Sequence, residues 1–137
     1  MVLLNVTDQC VLCSSAVEMH HHLFFECSVS SALWLSFASG ILPNPLADLH
    51  AAAAWIAASR RTLCSKQVTL LKLFFQSIIY IIWRERNYRI FTSVSSSTSD
   101  LHHALDRLLR DRLLSVPAPP PAGPSLLQLY FASYRSF

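Results

Sequence analysis

Cys10, Cys13, His22 and Cys27 constrain this chain more than any other residues, because they spell C-x2-C-x8-H-x4-C within eighteen positions. Thiolate and imidazole are the donors that a tetrahedral, d10 zinc ion prefers, and a tight turn can supply them at these separations. The two-residue gap lets both sulfurs of Cys10 and Cys13 face one point while backbone N–H groups donate to them. His22 and Cys27 are five apart, a little over one helical turn, so a helix start or a distorted turn would bring both to the same ion. The spacing therefore predicts a closed structural zinc site with no open coordination position.

Other readings of the same residues stand beside it. A disulfide would leave one of the three cysteines unpaired and would need an oxidising compartment. The cysteines could also be small buried residues, with His20, His21 and His22 a solvated run. If one histidine is a ligand, the four-residue gap to Cys27 selects His22, with His21 and His20 as fallbacks. Cys64 lies far from the cluster and reads as a buried thiol.

Beyond the cluster the pattern is helical. Ser28 to Gly40 starts with cap-type serines and ends in a glycine suited to a left-handed C′ position. Asn44-Pro45 offers a cap followed by proline at the first helical position, and Leu46, Leu49, Ala53 and Ile56 keep a helical period to about Ser59. Across Ser65 to Ile90 the polar residues Thr69, Lys72, Gln76, Tyr80, Arg84 and Asn87 draw one narrow wet stripe, with an apolar arc filling the rest. A helix so apolar must be covered on most sides, so it should be the central element. After a Ser/Thr run from Ser93 to Ser99, Asp100 opens a further helix with Leu101, Ala104, Leu105, Leu108 and Leu109 on one face. Val116 to Pro124 is proline-rich and cannot continue a helix; it reads as an extended linker, with an SH3 or WW ligand as a rarer use.

The expected fold is mainly α: a small N-terminal zinc knuckle, about four helices, and a disordered proline-rich C-terminal tail. The expected divisions are a knuckle and helical module over 1–91, a linker and amphipathic helix over 92–115, and a proline-rich linker and flexible tail over 116–137. Length suits one domain. A hydrophobic share of 53% excludes a disordered chain, and the two glycines with no GxGxxG, GxxxxGK[ST] or GxSxG string exclude nucleotide-binding and hydrolase scaffolds.

Charge is uneven. Residues 1–59 hold four acids and no Lys or Arg, −4, whereas the rest holds all eleven bases against four acids, +7. A basic second half is compatible with a polyanion, and equally with the solvated faces of ordinary helices. The first residues lack a basic n-region and a long apolar run, so an intracellular location, cytoplasm or nucleus, is expected rather than secretion. Val68 to Trp83 is too short and too interrupted by Lys72, Gln76 and Ser77 to span a membrane.

Two ordered segments carry a family resemblance. Cys10-x-x-Cys13, then Glu18, His22-Leu-Phe-Phe-Glu-Cys27-Ser28 and Ala32-Leu33-Trp34 form the first; Trp83-Arg84-Glu85-Arg86-Asn87-Tyr88-Arg89-Ile90-Phe91 forms the second. Together, over about residues 10–91, they resemble the zinc-binding domain downstream of the polymerase in reverse transcriptases of plant non-LTR (LINE-type) retrotransposons. The resemblance implies Cys10, Cys13, His22 and Cys27 as ligands of zinc. It implies a non-catalytic accessory module that assists parent reverse transcriptase domains in contacting RNA or single-stranded DNA. No Tyr-x-Asp-Asp string of a polymerase is present. Only nine residues precede Cys10, shorter than the family's usual lead-in, so a fragment of a retroelement or a short gene derived from one is expected.

For nucleic acid, Arg84, Arg86 and Arg89 are the candidate phosphate contacts. Such cations also suit the C-terminal end of any helix. Phe24, Phe25 and Trp34 are candidates for base stacking or, as often in a small zinc domain, for its core. The alternative function is a helical protein–protein interaction module without functional metal, which would bind a partner or itself through its apolar helices. Catalysis by a Cys–His pair is disfavoured, since the cysteines sit in ligand spacing and no orienting acid is identifiable.

Overall fold

The computed structural model describes residues 9–19, 22–39, 65–115 and 125–133. The helix expected over 44–59, the thiol of Cys64 and the proline-rich stretch 116–124 lie outside the described residues. What is described is mainly α, with four helices: α1 Ser28–Ala38, α2 Ser65–Thr92, α3 Thr98–Ser115 and α4 Leu126–Ser133. A single π-helical turn, His22–Glu26, precedes α1.

α1 starts directly after Cys27, whose extended backbone (φ −60°, ψ 136°) is that of an N-cap. The serines expected to cap this helix do not: the N-cap is Cys27, which makes no side-chain cap bond because its sulfur is committed to the cysteine cluster. Leu33, Trp34, Phe37 and Ala38 are buried, and this side of α1 packs on α2.

α2 is the central element. Its 28 residues span about 42 Å at 1.5 Å per residue, and it touches the π-turn, α1, α3 and α4. Val68, Leu71, Phe74, Ile78, Ile81 and Ile82 are buried along it, while Thr69, Lys72, Gln76, Tyr80 and Arg84 are exposed, the wet stripe expected from the sequence. α2 ends at Ser93, which takes a left-handed φ of 58°.

α3 begins two residues earlier than the sequence suggested. Asp100 does not open it but stands three residues after the cap Ser97, and the two exchange hydrogen bonds: Asp100 N–H to Ser97 Oγ at 3.1 Å and Ser97 N–H to Asp100 Oδ2 at 3.4 Å. This is a reciprocal capping box, with the acid also favoured by the helix dipole. Leu101, Leu105, Leu109 and Leu113 form its buried seam against the rest of the core.

Within the segment expected as a flexible tail, the structure places α4. Ser125 caps it in a second reciprocal box with Gln128, and Tyr130 is fully buried, its ring edge-on to Phe74 at 5.9 Å. The Tyr130 hydroxyl donates to Asp106 of α3. An eight-residue helix has too little intrinsic stability to announce itself in sequence, and here tertiary packing holds it.

One apolar core runs from Cys10, Leu12, Leu23 and Cys27 through α1 and α2 to Leu113 and Tyr130. The cysteine cluster is thus one end of the same core that α4 closes at the other. Among the described residues no helix is long and apolar enough to cross a membrane.

Candidate metal centre

The first half of the centre is a tight loop. An antiparallel bridge between Gln9 and Val17 closes it, and Cys10 N–H donates to Ala16 O at 2.8 Å while Ser14 N–H donates to Cys10 O at 2.8 Å. Ser14 takes a positive φ of 55°, the left-handed residue the reversal needs. Cys10 and Cys13 therefore leave the loop on the same side.

The second half is the π-turn. Cys27 N–H donates to His22 O at 2.6 Å, a bond across five residues in place of the helical four. The extra residue is what lets His22 and Cys27, five apart in sequence, present their side chains together. This is the distorted turn that the five-residue spacing called for. Immediately afterwards α1 begins, so Cys27 sits at a helix N-terminus, where the N–H groups of Val29 and Ser30 favour its thiolate without making a side-chain cap bond.

The loop and the turn bring four donors to one place. The sulfurs of Cys10, Cys13 and Cys27 and a ring nitrogen of His22 all lie within 4.8 Å of one another, a group that could hold a metal ion. Cys10 Sγ and Cys27 Sγ are 3.9 Å apart, and Cys13 Sγ and His22 Nε2 are 3.3 Å apart. The sulfurs are thiols, not a disulfide: a sulfur pair at 3.9 Å is well beyond the bonded length of about 2.05 Å. Cys10 and Cys27 are buried, Cys13 and His22 half-buried. His20 and His21 lie outside the described residues.

The surroundings split the thiols. At Cys13 burial opposes ionisation, but hydrogen bonds from the Ser15 N–H and from His22, Cys27 and Cys10 outweigh it and bring the thiol down to about 7. At Cys27 burial pushes the thiol up to about 12, assisted by the neighbouring Cys10 and only partly offset by the N–H groups at the start of α1.

The loop is bolted to the end of α2. Glu18 accepts the Val11 N–H at 3.2 Å on one carboxylate oxygen and Arg86 Nε at 2.5 Å on the other. Arg89 donates through Nη1 to the carbonyls of Val11 (2.9 Å) and Leu12 (3.4 Å), the two residues between Cys10 and Cys13. It also donates through Nε to Glu85 at 2.6 Å and through Nη2 to Ser96 O at 3.2 Å. Glu85 in turn takes the Ser96 N–H at 3.0 Å. Hydrogen bonds of this kind, one shell out from the donors, fix the orientation of the donors themselves.

Comparison with models of known families, with curated proteins and with solved structures gives no match.

Of the arginines expected at phosphates, Arg86 and Arg89 spend their donors on the metal loop and on Glu85, whereas Arg84 is exposed with its guanidinium over the Tyr80 ring at 5.8 Å. Phe24 is half-buried, its ring 6.3 Å from that of Trp83; the Phe25 side chain is outside what is described. Trp34 is wholly in the core. Glu85 does not stand out in the sequence as part of the centre; the one signal for it is its spacing of four from Arg89, the ordinary signature of a helical ion pair. Four protein donors around one tetrahedral ion would fill its coordination positions.

Proposed function

We propose that the chain is a non-catalytic zinc-binding module of a retroelement reverse transcriptase, serving to contact RNA or single-stranded DNA. The observation that carries it is the convergence of three thiols and one imidazole within 4.8 Å. A tetrahedral zinc with ordinary bond lengths sets sulfur–sulfur separations of ~3.8 Å and sulfur–nitrogen separations of ~3.6 Å. The pairs at 3.9 Å and 3.3 Å sit close to those values. A Cys3His donor set is soft and closed, which favours zinc over calcium or magnesium.

The reverse transcriptase reading draws support from how the two resembling segments meet. Glu18 of the first binds Arg86 of the second, and Arg89 of the second binds the backbone inside the Cys10–Cys13 loop. Two motifs far apart in sequence thus form one object, as a unit with a single purpose would require. Zinc, when bound, supplies a cross-link between the loop and the start of α1 and no reactive group.

A cobalt titration of the reduced protein tests the centre. One equivalent of tetrahedral cobalt with intense thiolate charge-transfer bands, displaced by zinc and lost in His22→Ala and Cys27→Ala, is expected. Absence of those bands in the wild type would overturn the metal reading. Retention of labelled RNA on a filter at low salt tests the second part; retention no greater than that of a neutral control protein would overturn it.

A further inference from the structure

The outer face of α2 carries an aromatic ridge that lies outside the buried core of the described residues; its Trp83 also meets the Phe24 ring of the π-turn at 6.3 Å. Tyr80, Trp83, Tyr88 and Phe91 are 46%, 43%, 49% and 68% exposed, and their spacing from Tyr80 of three, eight and eleven residues keeps them on one side of the helix. Arg84 stands among them. Large rings in water are costly, so a face that gathers four of them has a use for their surfaces.

What surrounds the rings tells what they suit. The guanidiniums of Arg84 and Arg112 lie 5.8 Å and 5.9 Å from the Tyr80 ring centre, and that of Arg86, which also binds Glu18, lies 5.4 Å from Trp83. No exposed residue of α2 is acidic, and none is Leu, Ile, Val or Met. Rings interleaved with cations match a strand of bases joined by phosphates.

The spacing selects the kind of strand. Tyr80, Arg84 and Tyr88 follow one another at about 6 Å along the helix axis. Bases in a duplex are stacked at about 3.4 Å with their faces hidden, so only an unstacked single strand can lay successive bases on successive planar groups of the ridge. Beyond Arg84 and Tyr88 the ridge falls into a groove of about 440 Å³ against the start of α3, walled by Ser96, Ala104 and Asp100. Asp100 and Glu85, the acids that line this groove, are engaged in the capping box with Ser97 and in the pair with Arg89.

Resting on the nucleic-acid reading above, we propose that the exposed face of α2, through Tyr80, Trp83, Arg84 and Tyr88, is the surface on which a single-stranded nucleic acid stacks.

The test is fluorescence anisotropy of fluorescein-labelled oligouridylate and oligothymidylate, and of a duplex of equal length, with the zinc-loaded full chain. Tyr80→Ala and Tyr88→Ala, both at exposed positions, are each expected to weaken single-strand binding about tenfold and together about a hundredfold, with zinc content unchanged. Tyr88→Phe keeps the ring and should bind within about twofold of wild type, whereas Tyr88→Leu keeps apolar area without a ring and should bind like the alanine variant. Phe131→Ala, an exposed ring on α4, should change nothing. Wild-type binding that all these variants retain would overturn the ridge while leaving the nucleic-acid reading standing. Equal affinity for the duplex, or full binding by Tyr88→Leu, would overturn stacking by a single strand. No binding by the wild type would overturn both readings. Concentration-dependent dimerisation abolished by Tyr88→Ala, without oligonucleotide binding, would assign the face to a second copy of the chain instead.

Discussion

Arg86 and Glu18 stand sixty-eight residues apart in sequence and meet at 2.5 Å, and the second oxygen of the same carboxylate holds the N–H of Val11 inside the Cys10–Cys13 loop. Glu18 is therefore the strut between the central helix and the metal loop. Glu18→Ala is expected to lower zinc affinity about tenfold without removing a ligand, the usual cost of losing an orienting partner. Arg86→Ala should have a smaller effect, since Glu18 then keeps the Val11 N–H, and the double variant should be no worse than Glu18→Ala alone, since Arg86 acts on the loop through that carboxylate. Competition with a chromophoric chelator measures this. Unchanged affinity in Glu18→Ala would mean that the loop holds its shape without the strut.

Glu85 makes a prediction with a definite pH sign. It is only 5% exposed. Burial by itself would raise its pKa, but the hydrogen bond from Arg89, those from Ser96 and the charge of Arg89 prevail and hold the carboxyl below its ordinary 4.5. Because the folded value lies below the unfolded one, its contribution is fully present above about 4.5 and is lost as pH falls through the lower folded value. Glu85→Gln leaves the Arg89 guanidinium short of its counter-charge and should cost about 3 kcal/mol at neutral pH. Its urea unfolding curve should also shift less than that of the wild type on going to acid. Parallel acid dependence in the two proteins would remove Glu85 as the source.

Tyr130 tests whether the C-terminal helix belongs to the fold. Its ring is buried against Phe74 and its hydroxyl binds Asp106, which also pairs with Arg110 at 3.0 Å. Tyr130→Phe should cost about 2 kcal/mol, the net worth of one hydrogen bond to a charged group. Tyr130→Ala should cost about 3–5 kcal/mol, as for other large buried rings. Equilibrium unfolding in urea reads both. A Tyr130→Ala protein as stable as wild type would mean that α4 packs without contributing.

These three cases show where the sequence speaks and where it does not. The donor pattern is legible because its parts lie within eighteen residues, where chain geometry alone limits what can meet. The wet stripe of α2 and the Leu101–Leu113 seam are legible because helical periodicity is a local property. The partners of Arg86 and Arg89 are not, since their acceptors in the loop lie at separations of up to seventy-eight residues and only the packed fold selects them. Arginines near the end of α2 read as phosphate contacts or dipole partners from sequence, and the fold gives two of the three to the metal loop. The start of α3 is legible only to within two residues, because Ser97 and Asp100 are both good capping residues and local chemistry does not rank them. α4 stayed hidden because eight residues carry too little intrinsic helicity to stand out.

The protons of the thiols give the last prediction. Without metal, Cys27 at about 12 holds its proton throughout the physiological range, whereas Cys13 at about 7 is largely ionised above neutrality. Zinc binds thiolates, so loading the centre must expel the Cys27 proton. The free site then carries more protons than the loaded one, and affinity must rise with pH, about tenfold per unit for each proton released. Calorimetry in two buffers of different ionisation enthalpy counts those protons directly, and at least one is expected near neutral pH. The same contrast orders the reactivity of the metal-free protein. Limiting iodoacetamide should alkylate Cys13 well before Cys27, because the thiolate is the nucleophile and Cys13 is also the more accessible of the two. Zinc should protect both. Equal labelling of Cys13 and Cys27, or zinc affinity independent of pH, would show that the cluster is not the environment described here.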